Sequence, residues 1–350
     1  MANKKTLMEG NIALCEGAIA AGCDAYFGYP ITPQNDVTGH MSRRMIELKR
    51  VFLQAESEIA AINMVLGVAA TGKRAMTSSS SPGVSLKQEG ISYLAGCELP
   101  ALIVNVQRGG PGLGNITGSQ SDYFQAVKGG GHGDYRVITL ASASVQEMYD
   151  MPQLAFELAD KYRTPVMILA DGYVGMMMEP ITMPEKAPEV KTVKKDWALT
   201  GCAGRKPRKI LSLYMSDGLL EAHNRKLNEK YSLIKKNEVR YEAVNTEGAD
   251  IVIAAFGIAA KICKSVLQMA QKDGLKVGMI RPITLWPFPE QAFADIAKTA
   301  KKILVVEMNM GQMVEDVRLA VQGKIPVEFL GKPGGSIFST EEIYEHIKKI

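Results

Sequence analysis

Two blocks of the chain alternate short β-branched runs with longer amphipathic stretches, each change marked by Gly or Pro, and this rhythm leaves few folds open. Strands that alternate with helices cannot pair by tight hairpins. They line up in parallel, and helices cover both faces of the sheet, which is the α/β architecture. In the first block the pattern predicts strands over 25–29, 51–54, 74–78, 101–106, 137–140 and 165–170, with helices over 10–21, 57–71, 84–95, 120–127 and 145–162. Six strands with intervening helices make one doubly wound domain. Between about 179 and 248 the rhythm breaks, and Pro180, Pro184, Pro188 and many charges indicate a linker with an irregular excursion instead of a core. It resumes with strands over 250–256, 276–280, 303–307 and 327–330 and helices over 258–273, 290–300, 311–322 and from 340 on. The expected organisation is therefore an α/β unit at 1–178, a linker at 179–248 and a smaller α/β unit at 249–350.

Several classes fall away on composition. Hydrophobic residues are 46% and charged residues 22%, as in ordinary globular chains, and no apolar run approaches the roughly 18 residues of a membrane span. Forty-one basic residues against 37 acidic ones leave a net charge of +4, scattered, which gives no footprint for nucleic acid. The N-terminus has short apolar groups broken by Glu9 and Asn11, not a signal sequence, so the expected location is cytoplasmic. Five cysteines, an odd number without a C-x-x-C pair, oppose a disulfide framework, a zinc site or an iron–sulfur cluster and read as core thiols. Nineteen methionines, three of them consecutive at Met176 to Met178, suit an organism sheltered from oxygen. The four histidines lack ligand spacing, so no metal site is expected, and no G-x-S-x-G elbow supports a serine hydrolase.

Candidate chemistry gathers at the carboxyl ends of the predicted strands, where open α/β sheets place their ligands. Gly28-Tyr-Pro-Ile-Thr-Pro33 follows the first strand; its prolines fix the backbone around Thr32, which either aims its hydroxyl at a ligand or caps a helix that has Pro33 at its first position. Glu56 and Glu58 open the second helix. Either they are ordinary N-terminal acids that suit the helix dipole, or Glu58, followed by the apolar turn Ile59-Ala-Ala-Ile62, is desolvated and placed to share a proton, with Glu56 the solvated one. Gly109-Gly-Pro-Gly-Leu-Gly114 follows the fourth strand without fitting G-x-G-x-x-G, with Arg108 at its mouth either to fork a substrate carboxylate or to solvate the loop edge. His132 lies in a second glycine-rich loop, Gly129-Gly-Gly-His-Gly-Asp134. Gly67-Val-Ala-Ala-Thr-Gly72-Lys73 imitates a P-loop, but it closes a helix and Arg74 replaces the required hydroxyl, so Gly72 reads as a helix C-cap.

Taken in order, Gly28-Tyr-Pro-Ile-Thr-Pro33, Gln54-Ala-Glu-Ser-Glu58, Thr77-Ser-Ser-Ser-Ser-Pro-Gly83, Gln107-Arg-Gly-Gly-Pro111 with Gln120-Ser-Asp122, and Arg281-Pro-Ile-Thr-Leu-Trp-Pro-Phe-Pro289 resemble the alpha subunit of 2-oxoacid:ferredoxin oxidoreductases nearly end to end. Gly109–Gly114 and Gly129–Arg136 are most similar to the branched-chain (2-oxoisovalerate) form, with the 2-oxoglutarate enzyme as the rival. The resemblance implies a doubly wound domain that binds the aminopyrimidine of thiamine diphosphate, followed by a domain like the C-terminal domain of transketolase. It implies oxidative decarboxylation of a 2-oxoacid with coenzyme A. On the same resemblance Glu58 meets the ring nitrogen, Tyr29, Pro30 and Ile31 line the cofactor, and Thr32, Arg108 and His132 face the substrate. Diphosphate and Mg2+ would sit on a beta subunit, since neither Ala170-Asp-Gly172 nor Ser216-Asp-Gly218 is followed by a properly spaced Asn. Gamma and ferredoxin-like delta subunits would carry acyl transfer and the [4Fe-4S] clusters, with ferredoxin as acceptor. A non-redox thiamine diphosphate decarboxylase subunit is the further alternative.

Overall fold

The structure, a computed structural model, describes residues 5–184, 189–190 and 193–350; Pro188 of the expected linker lies outside them. The first part of the chain runs β1 (Lys5–Glu9), α1 (Gly10–Ala20), β2 (Ala25–Gly28), α2 (Asn35–Glu47), β3 (Val51–Gln54), α3 (Glu58–Ala70), β4 (Ala75–Ser79), α4 (Ser81–Gly96), β5 (Ala101–Gln107), α5 (Tyr123–Val127), β6 (Ile138–Leu140), α6 (Val145–Tyr162), β7 (Pro165–Asp171), α7 (Gly172–Met176) and β8 (Met178–Thr182). The remainder runs α8 (Leu219–Asn237), β9 (Tyr241–Val244), β10 (Ile251–Ala254), α9 (Gly257–Lys272), β11 (Val277–Pro282), β12 (Thr284–Trp286), α10 (Glu290–Ile296), β13 (Lys302–Glu307), α11 (Met313–Val321), β14 (Val327–Gly331) and α12 (Thr340–Ile347).

A seven-stranded sheet has the order β12-β6-β7-β5-β4-β2-β3, and all its neighbours are parallel except β12 against β6. Its central strands β5 and β7 are buried at every residue, which is why Leu102-Ile-Val and Val166-Met-Ile-Leu-Ala are unbroken apolar runs rather than alternating ones. From β2 the chain steps outward to β3, then crosses back to β4 on the other side of β2. The order therefore reverses between β2 and β4, and the crevice at their carboxyl ends is the switch point of the sheet. A second sheet, β14-β13-β10-β11-β9, packs inside α9, α11 and α12, and β1 pairs with β8 in a short antiparallel ribbon. No helix among the described residues is long and apolar enough to cross a membrane.

Besides the β1–β8 ribbon, which runs into the expected linker, and the short α7, three features depart from the pattern reading. The first sheet has a seventh strand, β12, lent by the second block: Thr284 pairs with Leu140 and Trp286 with Thr139. Residues 179–248 hold the 19-residue α8, whose Leu227, Tyr231 and Ile234 form a buried stripe, and also β9, the edge strand of the second sheet. Helix α2 was expected only as a start at Thr32–Pro33; it begins at Asn35 after Gln34, so Thr32 does not cap it. Gly72 ends α3 as expected, with φ +85 and its N–H donated to the Ala69 carbonyl.

The two sheets are joined by buried polar contacts. Arg281 of β11 forks onto Glu147 of α6 (Nη1–Oε2 2.9 Å, Nη2–Oε1 2.7 Å) and donates through Nε to Glu242 of β9 at 2.8 Å. Asp171 accepts from the Val174 N–H at 2.9 Å and from the Ile258 N–H at 2.7 Å, so it caps both α7 and the first turn of α9. Burial pushes the Asp171 carboxyl up to about 6 against those hydrogen bonds. Its place in Ala170-Asp-Gly172 is thereby accounted for by capping. Gln120 spans the same junction, donating to the Phe256 carbonyl and accepting from the Met308 N–H.

Candidate active site

Helix α3 begins where Ser57, in extended conformation, accepts the Ala60 N–H at 3.1 Å, so Glu58 is the first helical residue and points back toward the crevice beside β2. Glu58 is buried and Glu56 is exposed, the division of roles expected from the apolar turn that follows Glu58. The N-terminus of α4 closes on the same carboxylate. A Cβ on Gly83 would stand 2.5 Å from Glu58 Oε1 and 2.1 Å from Ser79 Oγ, so only glycine permits this approach.

The Ser79 hydroxyl, which meets the space over Gly83 with Glu58, and the hydroxyl of the next residue, Ser80, are buried without a hydrogen-bond partner among the described residues. Each such orphan costs about 1–3 kcal/mol, which a polar ligand in the crevice would recover. The loop after β2 forms the opposite wall. Tyr29 and Pro30 are exposed, Ile31 and Thr32 half-buried, and the loop is moored from inside by Gln34, whose Nε2 donates to the Tyr29 carbonyl at 3.2 Å while its Oε1 accepts from Ser78 Oγ at 2.5 Å. A buried carboxylate, two unsatisfied hydroxyls and an exposed aromatic loop fit a flat heterocycle that carries both hydrogen-bond donors and acceptors.

Arg108 stands at the end of β5 and is buried, so it does not serve to solvate its loop. Its Nη1 donates to the Thr32 carbonyl at 3.1 Å and its Nη2 to the Leu113 carbonyl at 3.0 Å; the Nε–H is buried and has no partner among the described residues. Thr32 and Arg108 are thus one unit, the arginine tying the β2 loop to the β5 loop. Asn35 Nδ2 donates to Thr32 Oγ1 at 3.1 Å. Beneath Arg108, Asp122 Oδ2 accepts from Ser81 Oγ at 2.5 Å and Asn105 Nδ2 at 2.9 Å, and the Ser81 hydroxyl also accepts the Arg108 N–H at 3.0 Å. Burial pushes the Asp122 carboxyl up while the Ser81 and Asn105 hydrogen bonds and the Arg108 charge pull it down. Sequence reading gave Asp122 no role of its own, although the Gln120-Ser-Asp122 spacing after a glycine loop was the available signal.

A cavity of about 390 Å³ opens next to Thr32, walled by Ile116, Thr117, Tyr173, Met176 and Met177, with no charged side chain in its lining. His132 is not brought to it. The exposed His132 loop is fastened by the Ser92 hydroxyl donating to the His132 carbonyl, and Ser92 lies eleven residues beyond Ser81, about 16 Å down α4. Arg136 of the same loop lines a different cleft, between that loop and α8.

Fold and crevice together define a class: a doubly wound α/β chain with a buried carboxylate at the switch point of its sheet, in a crevice whose polar groups fit a heterocyclic cofactor. Residues 16–236 match the family described as pyruvate flavodoxin/ferredoxin oxidoreductase, thiamine diphosphate-binding, and residues 249–343 match pyruvate:ferredoxin oxidoreductase core domain II. The chain belongs to the 2-oxoacid:ferredoxin oxidoreductase family. Over 98% of its length it is 50% identical to ketoisovalerate oxidoreductase subunit VorB of Methanothermobacter marburgensis, covering 97% of that protein. It is 38% identical to 2-oxoglutarate synthase subunit KorA of Methanothermobacter thermautotrophicus, covering 98% of each. Among solved structures, the 2-oxoglutarate:ferredoxin oxidoreductase from Magnetococcus marinus superposes with TM-score 0.88 at 29% identity over 99% of this chain, which spans 65% of that longer one. A split-gene transketolase shares the fold at TM-score 0.61 and 14% identity, over 98% of this chain and 97% of that one.

Proposed function

We propose that this chain is the pyrimidine-binding subunit of a branched-chain 2-oxoacid:ferredoxin oxidoreductase, which converts 2-oxoisovalerate and coenzyme A to acyl-CoA and CO2 while two electrons pass singly to ferredoxin. The observation that carries the substrate class is the uncharged wall of the cavity beside Thr32. A 2-oxoglutarate site needs a second cation for the distal carboxylate. His132 and Arg136, the cationic side chains of the second glycine-rich loop, do not line that cavity, whereas Ile116, Met176 and Met177 suit a branched alkyl group. The 50% identity to a ketoisovalerate oxidoreductase subunit supports the same choice over 38% to a 2-oxoglutarate synthase subunit.

Thiamine diphosphate, when bound, supplies the carbon nucleophile for the 2-oxo group. In this reading Glu58 holds a proton against the ring nitrogen, Tyr29, Pro30 and Ile31 line the ring, and Arg108 with Thr32 orients the substrate carboxylate. His132 belongs to this set only by resemblance, its place in the structure being remote from Thr32. A beta subunit would bring the diphosphate and Mg2+, a gamma subunit acyl transfer, and a ferredoxin-like delta subunit the [4Fe-4S] clusters. The assembly would be cytoplasmic, with units at 1–178 and 249–350 and the 179–248 segment laid between them.

The test is to assemble the chain with its partners and follow coenzyme-A-dependent viologen reduction with 2-oxoisovalerate, 2-oxoglutarate and pyruvate side by side. Preference for 2-oxoisovalerate is expected; preference for 2-oxoglutarate would move the substrate, and decarboxylation without dye reduction would favour the non-redox alternative. Arg108→Ala should lower kcat/KM for 2-oxoisovalerate by one to two decades, since a charge-assisted contact is worth about 1.5–3 kcal/mol. An unchanged kcat/KM would remove Arg108 from the substrate site.

A further inference from the structure

We propose that Lys87 is a positioning residue that supplies the counter-charge to Glu58 from inside the protein, an inference that rests on the role given above to Glu58. Helices α3 and α4 cross at very short range. A Cβ on Gly83 would meet Glu58 Oε1 at 2.5 Å, and one on Gly90 would meet Ile62 Cγ2 at 2.5 Å. Lys87 lies four residues after Gly83 and three before Gly90, on the same face of α4, so its side chain enters the core under this crossing.

The side chain is fully buried, and its Nζ donates to Thr77 Oγ1 at 2.6 Å and to the Ser78 carbonyl at 2.9 Å. Neither acceptor is charged, and among the described residues no carboxylate lies within ion-pair distance of Nζ. The charge that acts on Lys87 is that of Glu58. An ammonium buried on two neutral oxygens is costly, and burial pulls Lys87 from its ordinary 10.5 down to about 7. Methionine would fill the same volume without that cost, so packing does not account for a lysine here.

The same group also reaches the cofactor loop. Ser78, whose carbonyl Lys87 holds, shares its hydroxyl with Tyr26 at 2.6 Å and donates to Gln34 at 2.5 Å, and Gln34 in turn holds the Tyr29 carbonyl. A chain of hydrogen bonds thus runs from Lys87 under the serine strand β4 to the loop opposite Glu58. As Glu58 passes its proton to a ring nitrogen, negative charge grows on its carboxylate and the cation below offsets it; one O–H bond breaks and one N–H bond forms.

The experiment uses the full chain with 13C-labelled lysines, first alone and then assembled with its partners. In the chain alone, one lysine should titrate near pH 7 and be missing from Lys87→Met. Its midpoint should fall further in Glu58→Gln, because the negative charge that favours the ammonium is gone. Stability tied to Lys87 is present above pH 10.5 and lost as pH falls through about 7, so Lys87→Met should melt higher than the parent at pH 6. In the assembly, Lys87→Met should lower kcat at least tenfold with KM within twofold, and should cost less than twofold more on a Glu58→Gln background. A midpoint unmoved by Glu58→Gln overturns the proposal whether or not Lys87→Met folds, as does a normal kcat for Lys87→Met where Glu58→Gln is impaired. Normal turnover by Glu58→Gln itself would instead remove the role of Glu58 on which the inference stands.

Discussion

Glu58→Gln is expected to cost the assembled enzyme a factor of about 10²–10⁴ in turnover, the range for a positioned proton-transfer group, while leaving the assembly intact. Gln has the same shape and can occupy the first position of α3, since the cap there is made by Ser57 and not by Glu58. The contact over Gly83 also survives, because it depends on the absence of a side chain on α4. What is lost is the carboxylate that can give and retake a proton at the ring nitrogen. The loss corresponds to about 3–5 kcal/mol of transition-state stabilisation, and it should fall on kcat, because the proposed function gives substrate binding to Arg108 and Thr32 and not to Glu58. Viologen reduction with saturating 2-oxoisovalerate, paired with gel filtration of the variant assembly, reads both halves of the prediction. Turnover within threefold of the parent in an intact assembly would remove Glu58 from the chemistry.

The parts of this molecule legible in its sequence are those whose physics is local. Strands β5 and β7 announce themselves as unbroken apolar runs because both of their faces are covered. Glu58 was identifiable because a carboxylate next to Ile59-Ala-Ala-Ile62 cannot be fully solvated, and it is in fact buried. What escaped depends on contacts made across long stretches of chain. Strand β12 is three residues that become a strand only by pairing with β6, more than 140 residues earlier. Helix α8 is mostly polar, and its Leu227, Tyr231 and Ile234 stripe was masked by the irregular segment before it. Lys87 carries no local signature either; a lysine in an amphipathic helix reads as solvated, and only the close crossing of α3 and α4 drives it inside. His132 is the converse case. A histidine in a glycine-rich loop looks like part of a site, but its loop is fastened at Ser92 and it does not line the cavity beside Thr32.

Arg281→Met should destabilise the chain by about 3 kcal/mol, toward the lower end of the range for breaking a buried ion pair. The guanidinium is 4% exposed and uses three N–H groups on two carboxylates, Glu147 in α6 and Glu242 in β9. It therefore ties the second sheet to the first. Removing it leaves both acids beside each other without their shared cation. Neither is then wholly stranded, since Glu147 keeps the Ala143 N–H at 2.7 Å and Glu242 keeps Lys264 at 2.8 Å, and both are partly exposed. That residual support is why the lower end is expected. Arg281→Lys should recover part of the loss but not all, because an ammonium cannot fork onto Glu147 while also reaching Glu242. Denaturant unfolding of the three proteins measures this directly, and limited proteolysis should cut Arg281→Met first around the 179–248 segment, as the two sheets separate before either unfolds. A destabilisation below about 1 kcal/mol, as for an exposed pair, would mean that the sheets are held by the Asp171 and Gln120 contacts instead. In that case the Arg281-Pro-Ile-Thr-Leu-Trp motif would serve mainly to deliver β12 to the edge of the first sheet.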